Sequence, residues 1–313
     1  MKNINIEDFL KEREIVPVID VRSPSEFKKG HILGALNIPL FSDEERAIVG
    51  TKYVQESRYS SVITGLDLVG PKLSGFVEAT SKIAPNGKLL IYCWRGGMRS
   101  SSMSWLLNLA GFKSKTLIGG YKSYRRYSKE YLSKPFKLVV LGGMTGSGKT
   151  ELIIELSKYG QQVIDLEGLA NHKGSAFGAI GQKPQPSTEF FENLLFENIL
   201  KLNPNKPIWV EDESKAIGSV FIPQEFFNQM LDSRVIALER STETRIKRLT
   251  SEYTNCEPQL LIDSVNKIAK RLGGDNVTKA IQSIQAGNFE EAVGVSLRYY
   301  DKAYQFGLSN KKV

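Results

Sequence analysis

The stretch "FKLVVLGGMTGSGKTELIIELSKYG", residues 136–160, limits the fold more than any other part of the chain. A short unbroken apolar run leads into a glycine-rich turn, and apolar residues at helical spacing follow. A strand buried on both faces belongs in a parallel sheet, whose crossovers are helices. Within the turn, Gly143 to Thr150 fit G-x-x-x-x-G-K-T in the strand–loop–helix setting that pattern needs. The amides around Gly146, Ser147 and Gly148 can cradle a diphosphate, Lys149 can neutralise it, and Thr150 can hold Mg2+. Such a loop does not by itself establish use of ATP or GTP.

"QQVIDLEG", "PIWVEDES" and "SRVIALE" are further strand candidates. Their ends carry Asp165, Glu167, Glu211, Asp212 and Glu213, candidates to hold a metal or orient water. No guanine-reading N-K-x-D is present. "LEGLANHKGSAFGAIGQKPQPS" holds His172, Lys173, Gly174 and Ser175 without strand texture. It is either a long surface loop or a substrate-lining loop near the phosphate site. From Glu239 onward four segments show helical spacing, with Gly273, Gly274 and Gly287 as stops. The final "SNKKV" is expected to fray.

Upstream, "IVPVIDV", "ALNIPL" and "KLLIYC" are strand candidates, with a turn and short helix at "SPSEFKKGH". "RSSMSWLLNLAGF" predicts a helix stopped by Gly111, and "SKTLIGGYKSY" a last short strand and turn. Residues 41–70 form a variable polar segment, and Ser133 to Pro135 mark a boundary. This is the pattern of a small α/β domain. At its centre stands the loop Cys93, Trp94, Arg95, Gly96, Gly97, Met98, Arg99, Ser100. Amides converging at a strand end, with a helix start behind them, favour a thiolate nucleophile. Arg95 and Arg99 can offer forked donors to an anion, and Gly96 and Gly97 allow the tight curve. The plainer alternative is a buried core cysteine.

Composition removes several classes. The 313 residues suggest two compact domains. Two cysteines make no disulfide framework, and two histidines supply few ligands for structural zinc, so no metal site is expected. The charged N-terminus is unlike a signal peptide, and no apolar run reaches membrane length, so a cytoplasmic protein without a membrane partner is expected. A net charge of +8 permits a nucleic-acid partner.

The segment "VIDVRSPSEFKKGHILGALNIP" resembles the first signature of the rhodanese family, through Asp20, Arg22, Glu26, Phe27, Gly30, His31, Ile32, Gly34, Ala35, Asn37 and Pro39. That resemblance implies a persulfide or perselenide on Cys93 and a structural His31. Cys93 to Ser100 also fits C-x-x-G-x-x-R-S of the cysteine-dependent phosphatases, although Tyr92 stands where those carry histidine.

Joined to the phosphate loop, "CWRGG", "LEGLANHKGSAFG" and "VEDESKAIG" make nearly the whole chain similar to the tRNA 2-selenouridine synthase family. The fold class this implies is α/β. A rhodanese-like domain (1–132) is followed by a P-loop NTPase-like parallel-sheet domain (133–240) and a helical C-terminal region (241–313).

The implied activity is that of a transferase. It geranylates the wobble 2-thiouridine of tRNA with geranyl diphosphate, then replaces sulfur by selenium from selenophosphate. Cys93, Arg95, Arg99 and Lys149 would be catalytic. Gly96, Gly97, Gly143, Gly146, Ser147, Gly148, Thr150, His172, Lys173, Ser175, Glu211 and Glu213 would bind substrates. The partners implied are tRNA, the two small anions and a selenophosphate-supplying enzyme. No tightly bound cofactor is expected, and Mg2+ is allowed. Lys247, Arg248, Lys270, Arg271 and Arg298 are candidates for a tRNA face, with Tyr299 or Tyr300 stacking on a base, or else they form a solvated helix surface. "GGYKSYRRYSKEY" lines a tRNA path or pins domains together. Phe177, Phe190, Phe191, Leu194 and Phe196 are candidates for a geranyl pocket, and the last four fit a helix core equally well. Cys256 lacks a reactive setting.

Overall fold

The computed structural model describes residues 2–254 and 256–308, so the "SNKKV" end lies outside the described residues. The chain divides into two compact units, Met1–Tyr131 and Leu132–Val313.

In the first unit, five strands are β1 (Lys2–Ile4), β2 (Val18–Asp20), β3 (Leu36–Asn37), β4 (Lys88–Tyr92) and β5 (Lys113–Leu117). They form an all-parallel sheet in the order β1-β5-β4-β2-β3. Its helices are α1 (Ile6–Glu12), α2 (Pro24–Lys29), α3 (Asp43–Gln55), α4 (Arg58–Val69), α5 (Leu73–Ile83), α6 (Met98–Leu109) and α7 (Gly120–Leu132). The central strand β4 is buried from Leu89 to Tyr92, as an unbroken apolar run requires.

The polar segment at 41–70 is mostly helical rather than irregular. Ser42 and Glu45 form a reciprocal capping box at the start of α3, and Ser57 caps α4 by accepting from the Ser60 amide at 3.0 Å. Helix α3 buries no residue, which explains why an apolar stripe does not betray it. The turn after β5 continues directly into α7. Tyr121 and Tyr124 are fully buried there, while Lys122, Arg126 and Lys129 are exposed. The interleaving of aromatic and basic residues is thus an amphipathic helix with its first tyrosines in the core.

In the second unit, β6 (Leu138–Gly142), β7 (Gln162–Ile164), β8 (Ile208–Glu211) and β11 (Arg234–Ala237) make a parallel sheet in the order β11-β6-β8-β7. Between the last two in sequence lies a small hairpin, β9 (Ala216–Ile217) with β10 (Val220–Phe221). Helices α8 (Lys149–Lys158), α9 (Leu166–Ala170), α10 (Thr188–Leu200) and α11 (Gln224–Asp232) accompany the strands. The tail folds into α12 (Thr242–Tyr253), α13 (Pro258–Lys267), α14 (Ala269–Leu272), α15 (Gly274–Gln285) and α16 (Phe289–Leu308). The second of the four expected tail segments is divided at Ile268. These helices share one apolar cluster with Phe177 and Ile180 of the "GSAFGAI" stretch. The tail therefore covers the phosphate-loop sheet's own loops within one unit. Among the described residues, no helix is long and apolar enough to cross a membrane.

Candidate functional site

Strand β4 delivers Cys93 to the carboxyl end of the first sheet, and α6 starts five residues later at Met98. The thiol is 3% exposed. Its Sγ lies 3.2 Å from Ser100 Oγ and 3.9 Å from the Gly97 carbonyl, and Ser100 Oγ also donates to that carbonyl. Gly96 has φ +65°, and a Cβ there would sit 2.7 Å from the Leu117 carbonyl.

The start of α7 closes over the loop. The Tyr121 amide donates to the Cys93 carbonyl at 2.8 Å and the Lys122 amide to the Trp94 carbonyl at 2.9 Å. Gly120, at φ +58°, leaves no room for a Cβ, which would run into the Cys93 carbonyl and the Arg95 amide. Sequence reasoning missed this clamp. The doublet Gly119–Gly120 just past a strand was the available signal for close backbone approach.

The two arginines of the loop differ. Arg99 forms an ion pair with Glu26 at 2.6 Å. Burial opposes ionisation of Glu26, but the Arg99 hydrogen bond and charge outweigh it and hold the carboxyl below its usual range. Arg95 is exposed and has no side-chain partner among the described residues. The first-signature residues build the support beneath. Arg22 is fully buried, pairs with Asp20 at 2.6 Å, donates to the Gly30 carbonyl and lies 3.9 Å over the Tyr121 ring. His31 stacks on Phe27, with centroids 3.8 Å apart, and its Nδ1 is 3.0 Å from the Phe27 carbonyl. Burial lowers its pKa, which suits a packing role.

In the second unit, the loop between β6 and α8 borders an open cleft of roughly 610 Å³. Gly143, Gly146, Ser147, Gly148, Lys149 and Thr150 line it, together with Lys173, Ser175 and Glu213. Gly143, Gly146 and Gly148 all have positive φ. Lys149 Nζ donates to the Gly143 carbonyl at 2.9 Å, and Thr150 Oγ1 donates to Glu167 at 2.8 Å. Ser147 Oγ is buried without a hydrogen-bond partner among the described residues.

His172 and Glu211 lie behind this lining rather than in it. A Cβ on Gly178 or Gly218 would strike the His172 ring, so the imidazole is packed between two backbone segments. Glu211 is fully buried and accepts from the Glu167 amide. Burial and the charge of Glu167 push it up to about 8, while Lys149 acts in the other direction. Glu213 is also raised well above the usual range, by burial of its carboxyl first and Glu167 second. Carboxylates this close share charge unfavourably, so a dianionic ligand alone is a poor match for all of them unless some stay protonated or a cation joins.

The raised pKa of Glu211 gives a signed pH effect. An unfolded Glu211 releases its proton near 4.5, whereas the folded one keeps it to about 8. Between those values the folded state binds the extra proton, so its contribution to stability falls as pH rises and levels off above about 8. Glu211→Gln removes this slope. Its melting temperature relative to the parent protein should rise by on the order of 10 °C between pH 5 and 8.5. Parallel melting profiles across that range would contradict the assignment.

The tail supplies residues that the motifs did not announce. Tyr304 OH accepts from the Gly143 amide at 2.6 Å, and Tyr300 OH accepts from the Ala176 amide at 2.9 Å. Arg245 is 2% exposed, pairs with Asp301 through both terminal nitrogens and donates to the Thr145 carbonyl. It shares a helix face with Leu249 and Tyr253, and an arginine on an apolar stripe was the sequence signal for a buried ion pair. Of the candidate tRNA face, Lys247 pairs with Glu243, Arg248 with Glu151, and Arg271 with the Tyr299 hydroxyl. Lys270 and Arg298 are exposed without side-chain partners among the described residues. No cluster suited to holding a metal ion by His, Cys, Asp and Glu alone occurs among them.

Residues 5–127 match the family model of the rhodanese-like domain, and residues 136–313 match that of the tRNA 2-selenouridine synthase AAA domain. A tRNA 2-selenouridine synthase of Nitrosomonas europaea is 39% identical over 250 residues, covering 77% of this chain and 64% of that protein. The match thus spans somewhat less than two thirds of that relative's length. The tRNA 2-selenouridine synthase of Pseudomonas syringae pv. tomato is 36% identical over 336 residues, covering 95% of this chain and 89% of the relative. A solved rhodanese-related protein from Thermoplasma volcanium is 19% identical with a TM-score of 0.27, covering 41% of this chain and 93% of that one.

Proposed function

We propose that this chain, which belongs to the tRNA 2-selenouridine synthase family, converts 2-thiouridine in tRNA to 2-selenouridine by S-geranylation followed by selenium transfer. The observation that carries the reading is the pairing of two different anion sites on one chain. One is a cysteine loop with an uncommitted arginine, and the other a phosphate loop with a lysine over its first carbonyl.

The two halves answer one chemical problem. A thiolate leaves a pyrimidine ring reluctantly, whereas an alkylthio group leaves as a thiol. In the first step the base sulfur attacks the carbon bearing the diphosphate. The carbon–oxygen bond breaks with its electron pair going to pyrophosphate, and the ring nitrogen releases its proton. Lys149 and the amides of Gly146, Ser147, Gly148 and Thr150 stabilise the departing charge. Thr150 with Glu167 and Glu213 offers oxygen donors for Mg2+ beside the phosphates, so the residues present fit that ion. When bound, Mg2+ would neutralise phosphate charge. Lys173 and Ser175, on the cleft wall, contact the donor's head group.

In the second step the Cys93 thiolate attacks the phosphorus of selenophosphate, and the phosphorus–selenium bond breaks to release selenide. Selenide attacks the ring carbon as geranylthiol leaves, and water hydrolyses the phosphocysteine to phosphate. Arg95 receives the incoming anion. Arg99 orients the loop through Glu26 and becomes a second donor when that pair opens. Exposed Lys270 and Arg298 contribute to holding the tRNA backbone, a contact that weakens with salt.

The test uses purified protein, thiolated tRNA and geranyl diphosphate, with no ATP or GTP, and follows the nucleosides by mass. Formation of the geranylthio base is expected, and of the seleno base once selenophosphate is added. A strict requirement for ATP without use of geranyl diphosphate would assign the loop to a nucleotide instead.

A further inference from the structure

Beside the phosphate loop lies a second cavity of different character. It is enclosed by α12, α13, α15 and α16 and capped by the "SAF" stretch of the 166–187 segment. Phe177, Leu261, Val265, Ile284, Phe289 and Ala292 make up most of its wall. Thr145, Ser175, Leu249, Tyr253 and Tyr300 line both this chamber and the phosphate cleft. The chamber therefore borders the cleft at the loop itself, and the residues common to the two form a collar. At that collar the Tyr253 ring packs on Phe177, with centroids 5.7 Å apart, and Tyr300 OH ties down the Ala176 amide.

We propose that this chamber binds the hydrocarbon tail of a prenyl diphosphate whose head group occupies the phosphate loop. The inference rests on reading the cleft as a diphosphate site. It adds where the tail goes and what limits its length. An amphiphile with a charged head and a short apolar chain satisfies a polar cleft that borders an apolar chamber. A purine in the same position would leave its ring nitrogens and exocyclic groups unpaired against carbon walls. The chamber as it stands is about 40 Å³, room for only the first carbons of such a chain, so the rest of the tail enters as Phe177, Leu261 and their neighbours move apart. The phenylalanines of α10 are a separate matter. Phe191 and Phe196 are fully buried in the second unit's core and do not line the chamber, whereas Phe177 does.

Ala292 is the position at which the tail site can be filled without touching the phosphate loop. It is 5% exposed, sits on α16 and belongs to the chamber wall alone. Leu261, on α13, is the complementary position for enlargement.

The full chain is titrated, without tRNA, with inorganic pyrophosphate, geranyl diphosphate and farnesyl diphosphate. The parent protein should bind geranyl diphosphate at least about thirtyfold more tightly than pyrophosphate. Ala292→Leu should weaken geranyl diphosphate by about tenfold or more while pyrophosphate stays within about twofold. Leu261→Ala should move the preference toward the longer farnesyl chain. Thermal melts show whether either variant has lost its fold, and the remaining one then decides. If the parent protein binds geranyl diphosphate no better than pyrophosphate, the prenyl-donor function itself is wrong. If it does discriminate but a folded variant keeps the parent's preferences, the chamber is not the tail site and the function stands.

Discussion

Replacing Cys93 by serine is expected to stop selenouridine formation while the geranylthio nucleoside accumulates in the tRNA. The rate of selenium incorporation should fall at least about a thousandfold, because a serine hydroxyl stays protonated and is a far weaker nucleophile than the thiolate. The substitution is nearly isosteric, and the buried thiol's neighbours, Ser100 Oγ and the Gly97 carbonyl, can both pair with a hydroxyl. Loss of activity would then reflect chemistry and not collapse of the loop. Mass analysis of nucleosides separates the two steps. Selenouridine at the normal rate in this variant would remove Cys93 from the mechanism. Phosphate release from generic phosphoesters by the parent protein, lost in the variant, would favour phosphatase chemistry at the same loop.

The second large effect is expected at Lys149. Charge builds on the pyrophosphate as its bond to carbon breaks, so a fixed cation lowers the barrier more than it aids ground-state binding. Lys149→Ala should reduce formation of the geranylthio base by about a hundredfold or more. Conversion of a tRNA geranylated beforehand should be spared. Lys149→Arg keeps the charge but not the compact ammonium that reaches the Gly143 carbonyl, and it should recover little. A melting comparison is needed, since Lys149 also restrains the raised pKa values of Glu167, Glu211 and Glu213. Equal loss of both steps in a folded variant would mean that the two reactions share the phosphate loop.

What the sequence determined by itself lies in contiguous runs. The apolar strand, glycine turn and helix at 136–160 dictate their own geometry within a few residues, and so does the turn from Cys93 to Ser100. The buried strands β2, β4, β6 and β8 were legible for the same reason, because burial on both faces shows as an unbroken apolar run, whereas the short, mostly exposed β1 and the β9–β10 hairpin were not. The helices between residues 41 and 70 were missed because they bury almost nothing and so leave no stripe, although their serine caps were in plain view. What only the tertiary structure decided are pairings between distant residues. Glu26 takes up Arg99, Gly120 lets α7 close on the cysteine loop, and Asp301 fixes Arg245 beneath the phosphate loop. The chamber beside that loop belongs to the same class, since its walls come from four tail helices and one crossover segment. Sequence spacing specifies which face of a helix is apolar, but not which distant face will meet it or whether the two meet without filling the space between them.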